Sequence, residues 1–317
     1  MRKALIVGID YYENVSCLHG CVNDAHSVKA IIERHGDGTI NFGVNLITAT
    51  GPDSQLKRRE LKDNIQKLFN DDSDIALFYF AGHGYIESSG GYLITSECEG
   101  GDDGLSLNEL MLMANESKAK SKVIILDSCH SGILGNLPAI KDSALLAEGV
   151  TILTASSSDQ YAQEINGSGV FTSLLVDAMS GGSSNLVGDI TPASIYAHID
   201  QSLGPWEQRP IFKTNVKNFT TLRKVHPPIQ LCDLKKIIEI FEDPSVYLQL
   251  DPSYEPTSES ANEINTDTFS ILQKYVKVNL VTPVDAEHMY YAAIESKQCK
   301  LTVLGAHYWK LVKKERI

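Results

Sequence analysis

The stretch VIILDSCHSG (Val123–Gly132) runs four apolar residues into Asp127, Ser128, Cys129 and His130, so a strand that looks buried ends on a carboxylate and a thiol. Five other stretches share its apolar body: ALIVGI (4–9), NLITA (45–49), IALFYFAG (75–82), VTILTAS (151–156) and PIFKTN (210–215). Strands so little interrupted by polar residues are covered on both faces, which is the habit of parallel sheets. Amphipathic helical patterns separate them, at 23–36, 57–69, 106–117, 171–179 and 191–203. The alternation predicts an α/β domain with a mostly parallel six-stranded sheet between helices. Asn23 or Asp24 and Ser106 read as N-caps, Gly36 as a C-cap and Pro192 as a first-turn proline. GGYLITSE (90–97) reads as part of a small hairpin.

The chain has 317 residues, 43% hydrophobic and 21% charged, enough for one large domain and a small one. Its formal net charge of −12 opposes sequence-independent nucleic-acid binding, which needs a basic surface to displace counterions. The apolar run at the N-terminus meets Asp10 too early for a signal peptide, and no run approaches membrane-spanning length. A cytoplasmic protein with reduced thiols is therefore expected, and its six cysteines are scattered without a disulfide pattern. Composition changes after about Arg223, where HPPIQL (226–231) looks like a linker. Residues 1–224 are expected to form the sheet domain and 225–317 a separate, mainly helical one. Helical segments are read at 231–241 and around 268–277, 284–297 and 301–314, with a polar loop at 251–267.

Parallel sheets present reactive groups just past the carboxyl ends of their strands. Two such ends carry matching chemistry: FYFAGHGY (78–85) offers His83 and VIILDSCHSG offers Cys129. A thiol needs a base to become a nucleophile, and imidazole is the usual one. Gly82 and Gly84 leave the His83 loop bare, so a peptide carbonyl can approach, with the N–H groups of Gly84 and Cys129 as oxyanion donors. His130 competes for the role of base, but a side chain adjacent to Cys129 points away if the pleat persists.

Taken together, YFAGHG and ILDSCHSG resemble the caspase-like cysteine peptidases in their metacaspase-like bacterial branch. ALIVGIDYY, LHGCVNDA, TASSSDQYA and GVFTSLLVDAM extend the resemblance over roughly residues 1–222. It implies the caspase–hemoglobinase three-layer sandwich, a His83/Cys129 dyad and no cofactor. It also implies an S1 pocket in which Asp24 and Asp127 hold an Arg, and also a Lys, of a protein or peptide substrate. A carboxylate pair suits a guanidinium. The plainer roles for these two are a helix cap and a turn cap. Ala81 stands where the family often has a pocket serine, and Cys21 is expected as a pocket wall.

Other features are read as structural. CLHGC (17–21) lacks a fourth zinc ligand, GGDDG (100–104) is taken as a solvated loop rather than a metal site, and Trp206 is equally a groove aromatic or a core anchor. The leading function is a regulated cysteine endopeptidase, by analogy an effector in bacterial immunity (antiviral defence) or cell death. Its rival is a caspase-fold pseudoenzyme or scaffold that acts by binding partners. Between Gly132 and Gln208 the only Lys or Arg is Lys141, so self-cleavage has one available site. Control by the 225–317 domain is expected instead, with room there for a small-molecule or nucleotide trigger and no role for DNA or membranes.

Overall fold

A computed structural model describes the chain except residues 89, 129–135, 138–139, 156–163, 166, 205–207 and 218–219; for 136–137, 140–144 and 164–165 it describes the backbone alone. The six apolar stretches become strands β1 (Arg2–Ile9), β2 (Gly43–Ala49), β3 (Ile75–Ala81), β4 (Ser121–Asp127), β5 (Val150–Thr154) and β6 (Ile211–Asn215). They form one sheet in the order β6-β5-β4-β3-β1-β2. Every pairing is parallel except β5 with β6.

Alternate residues of β1 to β5 enter two separate cores, while β6 contributes only Phe212, to the second. Leu5, Val7, Phe78, Phe80 and Ile124 face helices α2 (Arg58–Asn70) and α3 (Leu107–Glu116), packing with Leu61, Ile65, Phe69 and Leu110. Ala4, Ile6, Leu77, Tyr79 and Ile125 face α1 (Cys21–Ile32), α4 (Val170–Asp177) and α5 (Pro192–Ser202). The result is the three-layer sandwich. Gly84–Glu87 and Gly90–Leu93 form a hairpin beside the sheet, extended by Leu105–Ser106.

Capping follows the sequence in two places and departs from it in two. Ser106 accepts the N–H of Asn108 ahead of α3, and Pro192 sits in the first turn of α5 behind Thr191, which accepts the N–H of Ser194. Helix α1 starts three to four residues earlier than the Asn23 or Asp24 cap implied, with Gly20 as its N-cap residue. Its cap comes from outside the helix: Asp10, just past β1, accepts the N–H groups of Cys21 at 2.9 Å and Val22 at 3.2 Å. Gly36 is not the C-cap, because α1 ends at Ile32 and Glu33 takes that place.

The chain divides into two compact units, one of Met1–Ser184 with Asp189–His226 and one of Asn185–Gly188 with Pro227–Ile317. The second has its own core, in which Leu234, Phe241, Phe269, Leu272, Tyr275 and Cys299 are buried and Leu186 and Val187 pack alongside. Its helices are α6 (Leu231–Lys235), α7 (Ile237–Ile240), α8 (Glu263–Lys277), α9 (Met289–Ile294) and α10 (Val303–Lys313). Sequence periodicity missed a three-stranded antiparallel sheet between them, with β7 (Leu248–Gln249), β8 (Val281–Val284) and β9 (Gln298–Leu301) in the order β7-β9-β8. The expected helix at 284–297 is thereby cut to Met289–Ile294. Asn279, Asp285 and Ser296 adopt left-handed backbone conformations (φ 59°, 55° and 53°) that end helices and reverse the chain.

Candidate active site

The site gathers at the carboxyl ends of β1, β3 and β4, and glycine decides how closely its parts approach. A Cβ on Gly8 of β1 would lie 2.4 Å from the carbonyl oxygen of Cys21 and 2.7 Å from Cβ of Ala25. Only a glycine lets α1 lie this close to the sheet, and that seating carries Asp24 inward from its first turn. Asp127, at the end of β4, pairs in register with Ala81 of β3, which in turn pairs with Gly8. Asp127 has the same strand parity as Val123 and Ile125, which face α1 and α4, so both carboxylates lie on one face.

Asp24 and Asp127 are almost wholly buried, at 2% and 6% exposure. They converge on Gly169, where a Cβ would stand 3.1 Å from Oδ2 of Asp24 and 2.4 Å from Oδ2 of Asp127. Each is held from α4 or the residue before it. The N–H of Gly169 donates to Oδ2 of Asp24 at 2.9 Å, and the hydroxyl of Thr172 donates to Oδ2 of Asp127 at 2.7 Å. Behind Thr172, the Tyr79 hydroxyl lies 2.6 Å from its Oγ1. Burial, then the nearby Asp127 and Asp24 charges, hold the Tyr79 phenol well above its ordinary titration range. Asn23 adds a clamp from α1, donating to the carbonyl of Gly167 at 3.3 Å and to Oγ of Ser168 at 2.7 Å. Asp24 is thus not a helix cap; Asp10 has that task.

Ala81 is fully buried in the core beneath α1, together with Cys21 and Ala25. Cys21 is buried, and its backbone N–H is committed to Asp10.

His83 follows β3. Its Nε2 lies 2.8 Å from the carbonyl oxygen of Ser16. A carbonyl can only accept, so Nε2 carries the ring proton and Nδ1 of the neutral imidazole keeps the lone pair of a base. The backbone N–H of His83 donates to the Tyr12 hydroxyl at 2.8 Å, and the two rings stand 4.7 Å apart. Gly84 begins the hairpin opposite Leu93, while the Ile94 N–H bonds the His83 carbonyl at 3.0 Å. That makes Gly84–Leu93 a non-hydrogen-bonded pair, so the Gly84 N–H points away from its partner strand. A cavity of about 210 Å³ opens here, lined among others by Val15, Ser16, His83, Gly84, Tyr85 and Ile94.

Gly82 has a different purpose from the one its sequence setting suggests. A Cβ there would come within 2.6 Å of the Tyr12 hydroxyl and 2.9 Å of the Phe80 ring. The glycine is required by packing behind the loop.

Cys129, His130 and Trp206 lie outside the described residues. Cys129 and His130 follow Ser128 directly beyond the end of β4. In GGDDG, Asp103 accepts the N–H groups of Glu99 at 3.2 Å and Gly100 at 2.9 Å and so caps its own turn. Among the described residues, no group of three or more His, Cys, Asp or Glu is placed to hold a metal ion.

Comparison with known proteins follows the same outline. Residues 1–222 match the caspase domain family of peptidases. The chain belongs to that family. It is 27% identical to a metacaspase-1 of Debaryomyces hansenii over 218 residues, covering 61% of this chain and 45% of the relative. It is 30% identical to a metacaspase-4 of Arabidopsis thaliana over 145 residues, covering 41% of this chain and 34% of that one. The chain thus spans less than half the length of either. Among solved structures, caspase-1 of Spodoptera frugiperda superposes with a TM-score of 0.51 at 15% identity, over 71% of this chain and 91% of that one. A protein of Geobacter sulfurreducens gives 0.53 at 18% identity, over 71% of this chain and all of its own. At such identities the structures establish the caspase fold.

Six residues of the site escaped the sequence reading: Asp10, Tyr12, Ser16, Tyr79, Gly169 and Thr172. Asp10 and Tyr12 stand in the quoted motif ALIVGIDYY, and Gly169 and Thr172 in GVFTSLLVDAM, so the signal was a motif whose individual duties had not been resolved. Ser16 acts through its backbone and leaves no trace in residue type.

Proposed function

We propose that this caspase-family chain is a cysteine endopeptidase that cleaves after Arg, and also Lys. Cys129 is the nucleophile, His83 the base that takes its proton and then delivers one to the leaving amine, and Gly84 an oxyanion donor. Asp24 and Asp127 hold the P1 cation. The observation that carries the reading is the convergence of two buried carboxylates on Gly169, directly before the segment that bears Cys129. Two like charges so close favour a cation between them, and a planar guanidinium offers paired donors to both.

The test uses fluorogenic peptides that differ only at P1. Cleavage after Arg, lost in Cys129→Ala and strongly reduced in His83→Ala, supports the assignment; preference for P1 Asp, or turnover retained by Cys129→Ala, overturns it. His130→Ala is expected to be mild.

The same reading places control in the 225–317 region, making the protein a regulated effector of the kind used in bacterial immunity or cell death. Its support is a second unit with a core of its own and the presence of just one Lys or Arg, Lys141, in the span where self-cleavage would fall. Lys141 lies in a short antiparallel ladder of 140–144 with 136–137, and Asp142 follows it, a poor neighbour in an acidic groove. Lys141→Ala is expected to keep full peptide-cleaving activity, read as kcat on an Arg substrate.

A further inference from the structure

The base of this site is fastened from a neighbouring loop as well as from its own strand. The loop after β1 touches His83 at three points: the Tyr12 hydroxyl accepts its backbone N–H at 2.8 Å, the Tyr12 ring stacks obliquely against the imidazole at 4.7 Å and 52°, and the Ser16 carbonyl accepts a hydrogen bond from Nε2–H at 2.8 Å. Tyr12 is itself fixed, 3% exposed within the core facing α2 and α3. The space for its hydroxyl exists only because residue 82 has no Cβ, which would approach it to 2.6 Å. Backbone and ring are therefore gripped by one side chain, and the grip depends on a glycine one residue before the histidine.

We propose that Tyr12 is a positioning residue for His83, with Gly82 as its required counterpart. This rests on the reading of His83 as the general base. The hydroxyl fixes where the His83 backbone turns out of β3, the ring blocks rotation of the imidazole away from Ser16, and the Ser16 bond then selects the tautomer with its lone pair on Nδ1. Burial keeps the phenol well above its ordinary titration range, so Tyr12 positions the base as a neutral dipole and adds no charge beside it. A ring alone would leave the His83 N–H without this acceptor, and a misplacement of about 1 Å at a catalytic group costs as much as a hundredfold in rate.

The test compares full-length wild type, Tyr12→Phe, Tyr12→Leu and Gly82→Ala. Steady-state cleavage of an Arg peptide is measured alongside nitrogen NMR of the His83 ring. Tyr12→Phe keeps the ring and the fold and is expected to lower kcat roughly ten- to a hundred-fold, with KM within about twofold. In the same variant the His83 spectrum should pass from a single Nε2–H tautomer to a mixture. Gly82→Ala should reproduce both changes, and Tyr12→Leu should exceed them. The idea is overturned if Tyr12→Phe keeps wild-type kcat, or if kcat falls while the His83 tautomer is unchanged. A wild type that cleaves no peptide would refute the peptidase reading instead, and the NMR comparison would still decide whether Tyr12 orders His83.

Discussion

A methyl group at position 169 would intrude on both Asp24 and Asp127, and this single contact makes the proposed acidic pocket testable by shape as well as by charge. Gly169→Ala forces Asp127 or the backbone aside, an overpacking cost of about 1–3 kcal/mol that falls in the proposed P1 pocket. The expected result is a fall in kcat/KM for Arg substrates of roughly ten- to a hundred-fold, carried mainly by KM, in a protein whose far-ultraviolet circular dichroism is unchanged. Thr172→Val attacks the same carboxylate from behind. It removes the 2.7 Å hydrogen bond to Asp127 and strips the Tyr79 hydroxyl of its partner at 2.6 Å. Leaving buried polar atoms unsatisfied costs about 1–3 kcal/mol, so the melting temperature should fall together with Arg affinity. If Arg cleavage is untouched in both variants, P1 is recognised elsewhere.

At the scale of the element, α1 is the piece on which the site depends, and two residues outside it determine its seat. Gly8→Ala would push the helix off β1, because the new Cβ meets the Cys21 carbonyl at 2.4 Å. A loss of about 1–3 kcal/mol of stability is expected, measured by denaturant unfolding, with weakened Arg cleavage as Asp24 moves. Asp10 caps the helix, and Asp10→Ala should cost about 0.5–2 kcal/mol. Burial raises the Asp10 carboxyl above its ordinary 3.8, outweighing the opposing pull of the Val22 and Cys21 N–H groups. The sign follows: its protonated form favours the folded state, fully so below pH 3.8, and this contribution is lost as pH rises through the raised folded value. Asp10→Asn retains an acceptor without a charge. Its stability should therefore vary less with pH in that window than wild type, which a melting series at fixed ionic strength would measure. These elements also show what sequence could supply. The six central strands were legible because each is an apolar run, four of them largely buried and the edge strands Gly43–Ala49 and Ile211–Asn215 partly exposed. The roles proposed for His83, Asp24 and Asp127 came from motifs that resemble a strongly patterned family. The source of the α1 cap was not legible, since Asp10 reaches it through space from just past the preceding strand. The sheet of the second unit was hidden for a related reason: Val281–Val284 and Gln298–Leu301 are only four residues each, too short to show a period, and non-glycine residues make the turns.

Across the whole molecule, separate cores allow one unit to be perturbed through its own interior. Phe269 is 1% exposed in the core of the second unit, among Leu272, Tyr275 and Cys299, and takes no part in the two cores of the sheet unit. Phe269→Ala should cost that unit about 3–5 kcal/mol through lost burial and the cavity left behind. Calorimetry of the full-length protein is expected to show two transitions, with only the one belonging to the second unit lowered by the substitution. Peptide cleavage can then be followed through the interval between them. If residues 225–317 control the peptidase, the rate on an Arg peptide should change stepwise where the second unit melts, and the step should move down with Phe269→Ala. Control by a bistable unit requires this, because removing one of its states removes the bias it exerts. A rate that ignores the second unit's transition, and changes only where the sheet unit unfolds, would leave that unit without a regulatory role.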